Sequence, residues 1–132
     1  MIAFDTNILL RIVLSDDERQ SPVARALALK ASPDEPVLIS VVVLVEFVWT
    51  LIRQKKVPRD IVVAELETLL LRPDVLIESV DAVEVALGHF RSGKADFSDY
   101  LIAELGRTAG ATTTYTFDTD ARDAPGFTLL TA

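Results

Sequence analysis

Three short apolar runs, at residues 2–4, 37–39 and 75–77, and a β-branched one at 112–117 recur along this chain, with stretches of helical length between them. A run such as Val37-Leu38-Ile39 is too uniformly apolar to have one wet face, so it reads as a strand covered on both sides. Strands that alternate with helices imply an α/β domain whose strands are parallel. The expected architecture is a three-layer domain, a central parallel sheet flanked by helices, made by residues 1–132 as a single domain.

The intervening segments read as helices over residues 6–14, from the polar break Asp16-Asp17-Glu18 to about 31, over 42–55, 57–71, 81–91 and 97–109. In the second of these, Val23, Leu27 and Ala31 fall on one face. Pro33 and Pro36 bracket a turn, Pro58 sits near the first turn of a helix, and Gly110 suits a helix C-terminus. A last short strand is expected over 127–130, after Pro125-Gly126.

Composition narrows the chemistry. The chain has no cysteine and a single histidine, His89, so thiolate zinc sites, cysteine nucleophiles and histidine cages are excluded. Catalysis must rest on carboxylates, hydroxyls, lysine or a metal. The net charge of −7 is the wrong sign for binding a polyanion through a broad basic face. No secretory signal is visible at the start, and the apolar stretch 37–52, broken by Ser40, Glu46 and Thr50, is shorter than a membrane span. The expectation is a soluble, cytoplasmic protein.

In a parallel sheet, ligands bind at the carboxyl ends of the strands. Asp5 directly follows the first strand and Asp118 the fourth. Asp99 lies in the first turn of the helix that runs back before the fourth strand, and Glu46 a little over one turn into the helix leaving the second. Helical side chains tilt toward the N-terminus, so all four acids are expected at one end of the sheet. Plainer roles exist for three of them. Asp5 also suits a helix cap, Asp118 a turn, and Asp96-Phe97-Ser98-Asp99 a capping box. Glu46 stands among Val42, Val43, Leu44, Val45, Phe47, Val48 and Trp49, where an ionised group is costly unless paired or bound to metal.

Carboxylates forced together repel, and a cation relieves them. Oxygen ligands without cysteine or a histidine set favour Mg²⁺, with Mn²⁺ as a substitute, over zinc. A metal there lowers the pKa of water and offsets the charge of a scissile phosphate, which reconciles an acidic chain with a polyanionic substrate.

The residues Asp5-Thr6-Asn7, Glu46 after Ile39-Ser40, the run from Asp96 through Asp99 to Ala103, and Thr116-Phe117-Asp118 before Pro125-Gly126-Phe127 together resemble a PIN domain. Within that family the chain is similar to the VapC toxins of prokaryotic toxin–antitoxin pairs, over essentially its whole length. The resemblance implies Asp5, Glu46, Asp99 and Asp118 as the catalytic, metal-holding acids, with Asp96 as an auxiliary ligand. Thr6, Asn7 and Thr116 match supporting polar positions. It also implies a Mg²⁺-dependent endoribonuclease acting on RNA, a homodimer, and inhibition by a small antitoxin protein.

Other features carry two readings each. Arg53, Lys55, Lys56 and Arg59 either complement a helix C-terminus or touch phosphate, and Arg11 is either a solvated charge or a contact to RNA or a partner. His89 reads as an ordinary helix residue. The run 42–51 exceeds what one helix face buries, so it is either a central buried helix or part of a dimer interface. A mean hydropathy of +0.34 points to apolar surface covered by a second copy and by an antitoxin, whose arginine or lysine would face the acids. Rival functions are a phosphatase of the haloacid-dehalogenase type, which needs an acid where Asn7 stands, and a flap nuclease, which needs a longer chain. A non-catalytic RNA- or partner-binding domain would have lost some of the acids, and none is lost.

Overall fold

A computed structural model describes all residues, 1–132, and divides them into two compact units, Met1–Glu78 and Ser79–Ala132. In the first unit β1 (Ile2–Ala3) leads to α1 (Thr6–Leu14) and α2 (Gln20–Ala28), then β2 (Val37–Ile39), α3 (Val41–Trp49), α4 (Arg59–Leu71) and β3 (Val75–Ile77). Its strands form a parallel sheet in the order β1-β2-β3, with Ile2 opposite Val37 and Ile39 opposite Ile77. The second unit holds α5 (Val80–Ser92), α6 (Phe97–Thr108), β4 (Thr114–Thr116) and β5 (Phe127–Leu129). Here β4 and β5 pair in parallel, Thr114 opposite Phe127. The domain is α/β with parallel strands, which are divided between a sheet of three and a sheet of two.

Local chemistry explains most element ends. Ser40 caps α3 by accepting the Val43 N–H at 3.2 Å, and the Val41 N–H donates to the Glu78 carboxylate at 3.0 Å. At the foot of α1, Ser15 adopts a left-handed conformation and its N–H closes on the Arg11 carbonyl. Pro58 precedes α4 as its cap residue, where the missing N–H costs nothing. Gly126 has φ +92°, and a Cβ there would stand 3.2 Å from the Ala103 methyl of α6, so β5 begins where only glycine fits easily.

The first unit buries Phe4, Leu9, Leu10, Val37, Ile39, Leu44, Phe47, Val62 and Leu66. In the second unit, Phe90 and Phe97 meet edge to face at 5.7 Å, joining α5 to α6. Two expectations are corrected, and one of the two readings of the stretch 42–51 is excluded. The second helix ends at Ala28, and its buried positions are Ser21 and Ala24, while Val23 is 70 % exposed. Small residues let α2 lie close to α1, so the larger Val23 faces out. The helix expected over 42–55 changes pitch at Thr50, where the Lys55 N–H reaches back five residues to the Thr50 carbonyl in a π-type turn. The stretch 42–51 is not buried all round, since Val42 and Trp49 face solvent.

Candidate functional site

Asp5 follows β1 in extended conformation, and its Oδ1 accepts the Thr6 N–H at 2.7 Å, capping α1. Thr6 is buried at 8 % exposure. Its hydroxyl donates to Glu46 Oε1 at 2.9 Å, across a sequence separation of 40. One residue therefore ties the carboxylate at the end of β1 to the one on the helix leaving β2. Asn7 is exposed beside them on the first turn of α1. Glu46 itself is exposed, which corrects the expectation that its apolar neighbours in sequence enclose it. Val43, Leu44, Phe47 and Val48 occupy the buried side of α3, and Glu46 lies on the opposite side. Its charge needs no metal for solvation alone.

In the second unit Asp96 caps α6 and forms a reciprocal capping box with Asp99, whose Oδ2 accepts the Asp96 N–H at 3.1 Å. Asp99 is half-buried, and its carboxyl is held above the usual carboxylate range. Burial is the main cause; the negative charges of Asp96, Asp118 and Asp120 push the same way, against the pull of the Asp96 N–H. Just past β4, the Asp118 N–H donates to the Thr116 hydroxyl at 3.0 Å, and Asp118 Oδ1 accepts the Asp120 N–H at 2.8 Å. Thr116 and Asp118 thus fold the turn that carries the acid.

Asp5 and Asp118 follow the carboxyl ends of β1 and β4, Asp96 and Asp99 stand at the start of α6, and Glu46 lies in the middle of α3. Asp5 and Glu46 share Thr6 in the first; Asp96, Asp99 and Asp118 influence one another in the second. Neither unit by itself gathers three Asp, Glu or His side chains into a cage for one ion. The donor chemistry still suits a hard cation: the groups are carboxylates and hydroxyls, and Asp99 carries a like-charge burden that a cation would lift. A further acid, Asp120, lies beyond those the sequence singles out. It adds to the field at Asp99, and its spacing of two from Asp118, typical of an Asx turn, was the available signal.

No helix is long and apolar enough to cross a membrane. The PIN domain family matches residues 2–126 of the chain. The crystal structure of Mycobacterium tuberculosis VapC20, described as a sarcin-ricin loop cleaving toxin, is similar at 26 % sequence identity, covering 96 % of each chain with a TM-score of 0.45. No curated protein matches the chain.

Proposed function

Since this chain belongs to the PIN domain family, we propose that it is a Mg²⁺-dependent endoribonuclease, the toxin of a prokaryotic toxin–antitoxin pair. The observation that supports the reading is that Asp5 follows β1 and Asp118 follows β4, at strand ends where a parallel sheet presents ligands, and that Thr6 ties Asp5 to Glu46. Asp5, Glu46, Asp99 and Asp118 would hold the cation, with Asp96 as an auxiliary ligand. When bound, Mg²⁺ or Mn²⁺ lowers the pKa of a water and offsets the charge of the scissile phosphate.

The chain's own residues do the positioning. Thr6 fixes the Glu46 carboxylate with its hydroxyl and the Asp5 carboxylate with its backbone N–H. Asp96 holds Asp99 at the first turn of α6, and Thr116 orients the turn bearing Asp118. Asn7, exposed next to Thr6, is available to the substrate. Incubating the purified protein with single-stranded RNA tests the reading: cleavage that needs Mg²⁺ or Mn²⁺ and stops in EDTA is expected.

The partners proposed are a second copy of the chain, an antitoxin and the RNA, all met in the cytoplasm. Support comes from exposed apolar side chains, among them Leu29 at 86 % and Leu71 at 83 %, which water alone covers poorly. The first unit also has an apolar cleft of about 570 Å³, lined by Phe4, Leu9, Ile12, Val13 and Leu69, suited to an apolar antitoxin segment. Light scattering should give the mass of a dimer, which rises further with the antitoxin.

A further inference from the structure

The turn from α5 to α6 contains a glycine whose backbone does not call for one. Gly93 closes α5, its N–H donating to the His89 carbonyl at 2.9 Å. Its φ of −89° and ψ of −177° are extended values that any residue adopts. The need is for space. A Cβ at this position would overlap the Tyr100 hydroxyl and stand 2.9 Å from the ring carbon that bears it. Tyr100 is 5 % exposed and stacks on His89, ring centroids 5.7 Å apart. Its hydroxyl accepts the Ala95 N–H at 3.3 Å. A side chain of α6 therefore reaches back through the gap at Gly93 and holds the backbone one residue before Asp96.

Two of the acids depend on this turn. Asp96 is where the chain enters α6, and its N–H is held by Asp99 Oδ2 at 3.1 Å. Phe97 against Phe90 and Tyr100 against His89 fasten the start of α6 to the end of α5, with Asp99 between them in sequence. Ring packing alone leaves the direction of the turn free; the bond from Ala95 to Tyr100 fixes it. We infer that Gly93 and Tyr100 are positioning residues: the hydroxyl, seated where glycine leaves room, sets where the Asp96 and Asp99 carboxylates stand. The inference rests on the ribonuclease reading, in which those acids hold the cation. Groups that orient metal-binding carboxylates change metal affinity by about 10–100-fold.

Tyr100→Phe keeps the ring and adds no atom, but it removes the acceptor of the Ala95 N–H, and the turn must shift to satisfy that donor. Amide exchange at Ala95, followed by NMR, should quicken at least ~10-fold, and isothermal titration should show Mg²⁺ bound about ten-fold more weakly. The KM for a labelled RNA oligonucleotide at saturating Mg²⁺ should stay at the wild-type value. Gly93→Ala drives the hydroxyl out of the gap and should weaken Mg²⁺ binding further. Adding Tyr100→Phe to Gly93→Ala removes the overlapping atom, so a change that costs affinity when made alone should restore part of it. Tyr115→Phe, at an exposed tyrosine, should alter none of these readings. Wild-type Mg²⁺ affinity in Tyr100→Phe, even with a lower melting temperature, would mean that the hydroxyl serves the fold alone and would overturn the inference. Unchanged exchange at Ala95, or no recovery in the double variant, would overturn it as well. In each of these cases the ribonuclease reading stands, provided that the wild type cleaves RNA. A wild-type protein that neither binds Mg²⁺ nor cleaves RNA would overturn both.

Discussion

In the first unit the carboxylates of Asp5 and Glu46 each accept a hydrogen bond from one residue, Thr6, and both are open to solvent. In the second, Asp99 is half-buried among the charges of Asp96, Asp118 and Asp120, and only the Asp96 N–H favours its ionised form. The first pair is fixed in direction by the two hydrogen bonds from Thr6. The second group is strained by its own charge. The two groups should therefore respond differently to substitution.

The largest contrast with a merely structural role is catalytic. Asp5→Asn and Asp99→Asn keep shape but remove charge, so RNA cleavage should fall by at least ~10²-fold for either, measured as initial rates with purified protein. Wild-type rates in both would remove the proposed acids from the chemistry. Thr6→Val, nearly isosteric, deletes the donor to Glu46 and should lower activity less, by roughly ten-fold. Denaturant titration should also show it less stable by about 1 kcal/mol, because the hydrogen bond of the buried Thr6 hydroxyl is lost.

A pH effect separates the units further. The Asp99 carboxyl is raised in the fold above its ordinary 3.8, so the folded chain binds this proton more tightly than the unfolded chain does. The stability it adds is present at low pH and is lost as pH rises from about 4 through the raised value. Asp99→Asn, which cannot ionise, should flatten that decline and raise the metal-free melting temperature at neutral pH, although it abolishes activity. Asp5→Asn should not raise it. A lower melting temperature for Asp99→Asn at pH 7 would mean that its capping-box hydrogen bond outweighs the charge burden.

The smallest effect expected is at the rim. Asp120→Asn removes one of the three charges acting on Asp99 and should shift the Mg²⁺ concentration for half-maximal cleavage by only about two-fold, leaving the maximal rate nearly intact.

Much of this was legible in the residues. The span of α1 follows from Asp5 as a cap and from the break after Leu14, and the box Asp96-Phe97-Ser98-Asp99 marked the start of α6. Periodicity located the strands because Val37-Leu38-Ile39 and Val75-Leu76-Ile77 are apolar runs with turn residues ahead of them. Burial was harder to read. A helix as apolar as α3 has no polar stripe to mark its outer face, so its sequence encloses Glu46 among apolar residues while the fold sets Val42, Glu46 and Trp49 on that face. The π-type turn was hidden because Thr50–Gln54 contains neither glycine nor proline to break the helix. Division of the strands into two sheets depends on pairing between distant segments, which no local pattern encodes.

The central claim is that Asp5, Glu46, Asp99 and Asp118 serve a cation-dependent cleavage of RNA. Isothermal titration of Mg²⁺ into the wild-type protein, Glu46→Gln and Asp99→Asn tests it most directly, with one variant altering each unit. The account predicts Mg²⁺ binding that either substitution weakens at least ten-fold. Affinity that both substitutions leave unchanged would contradict the claim.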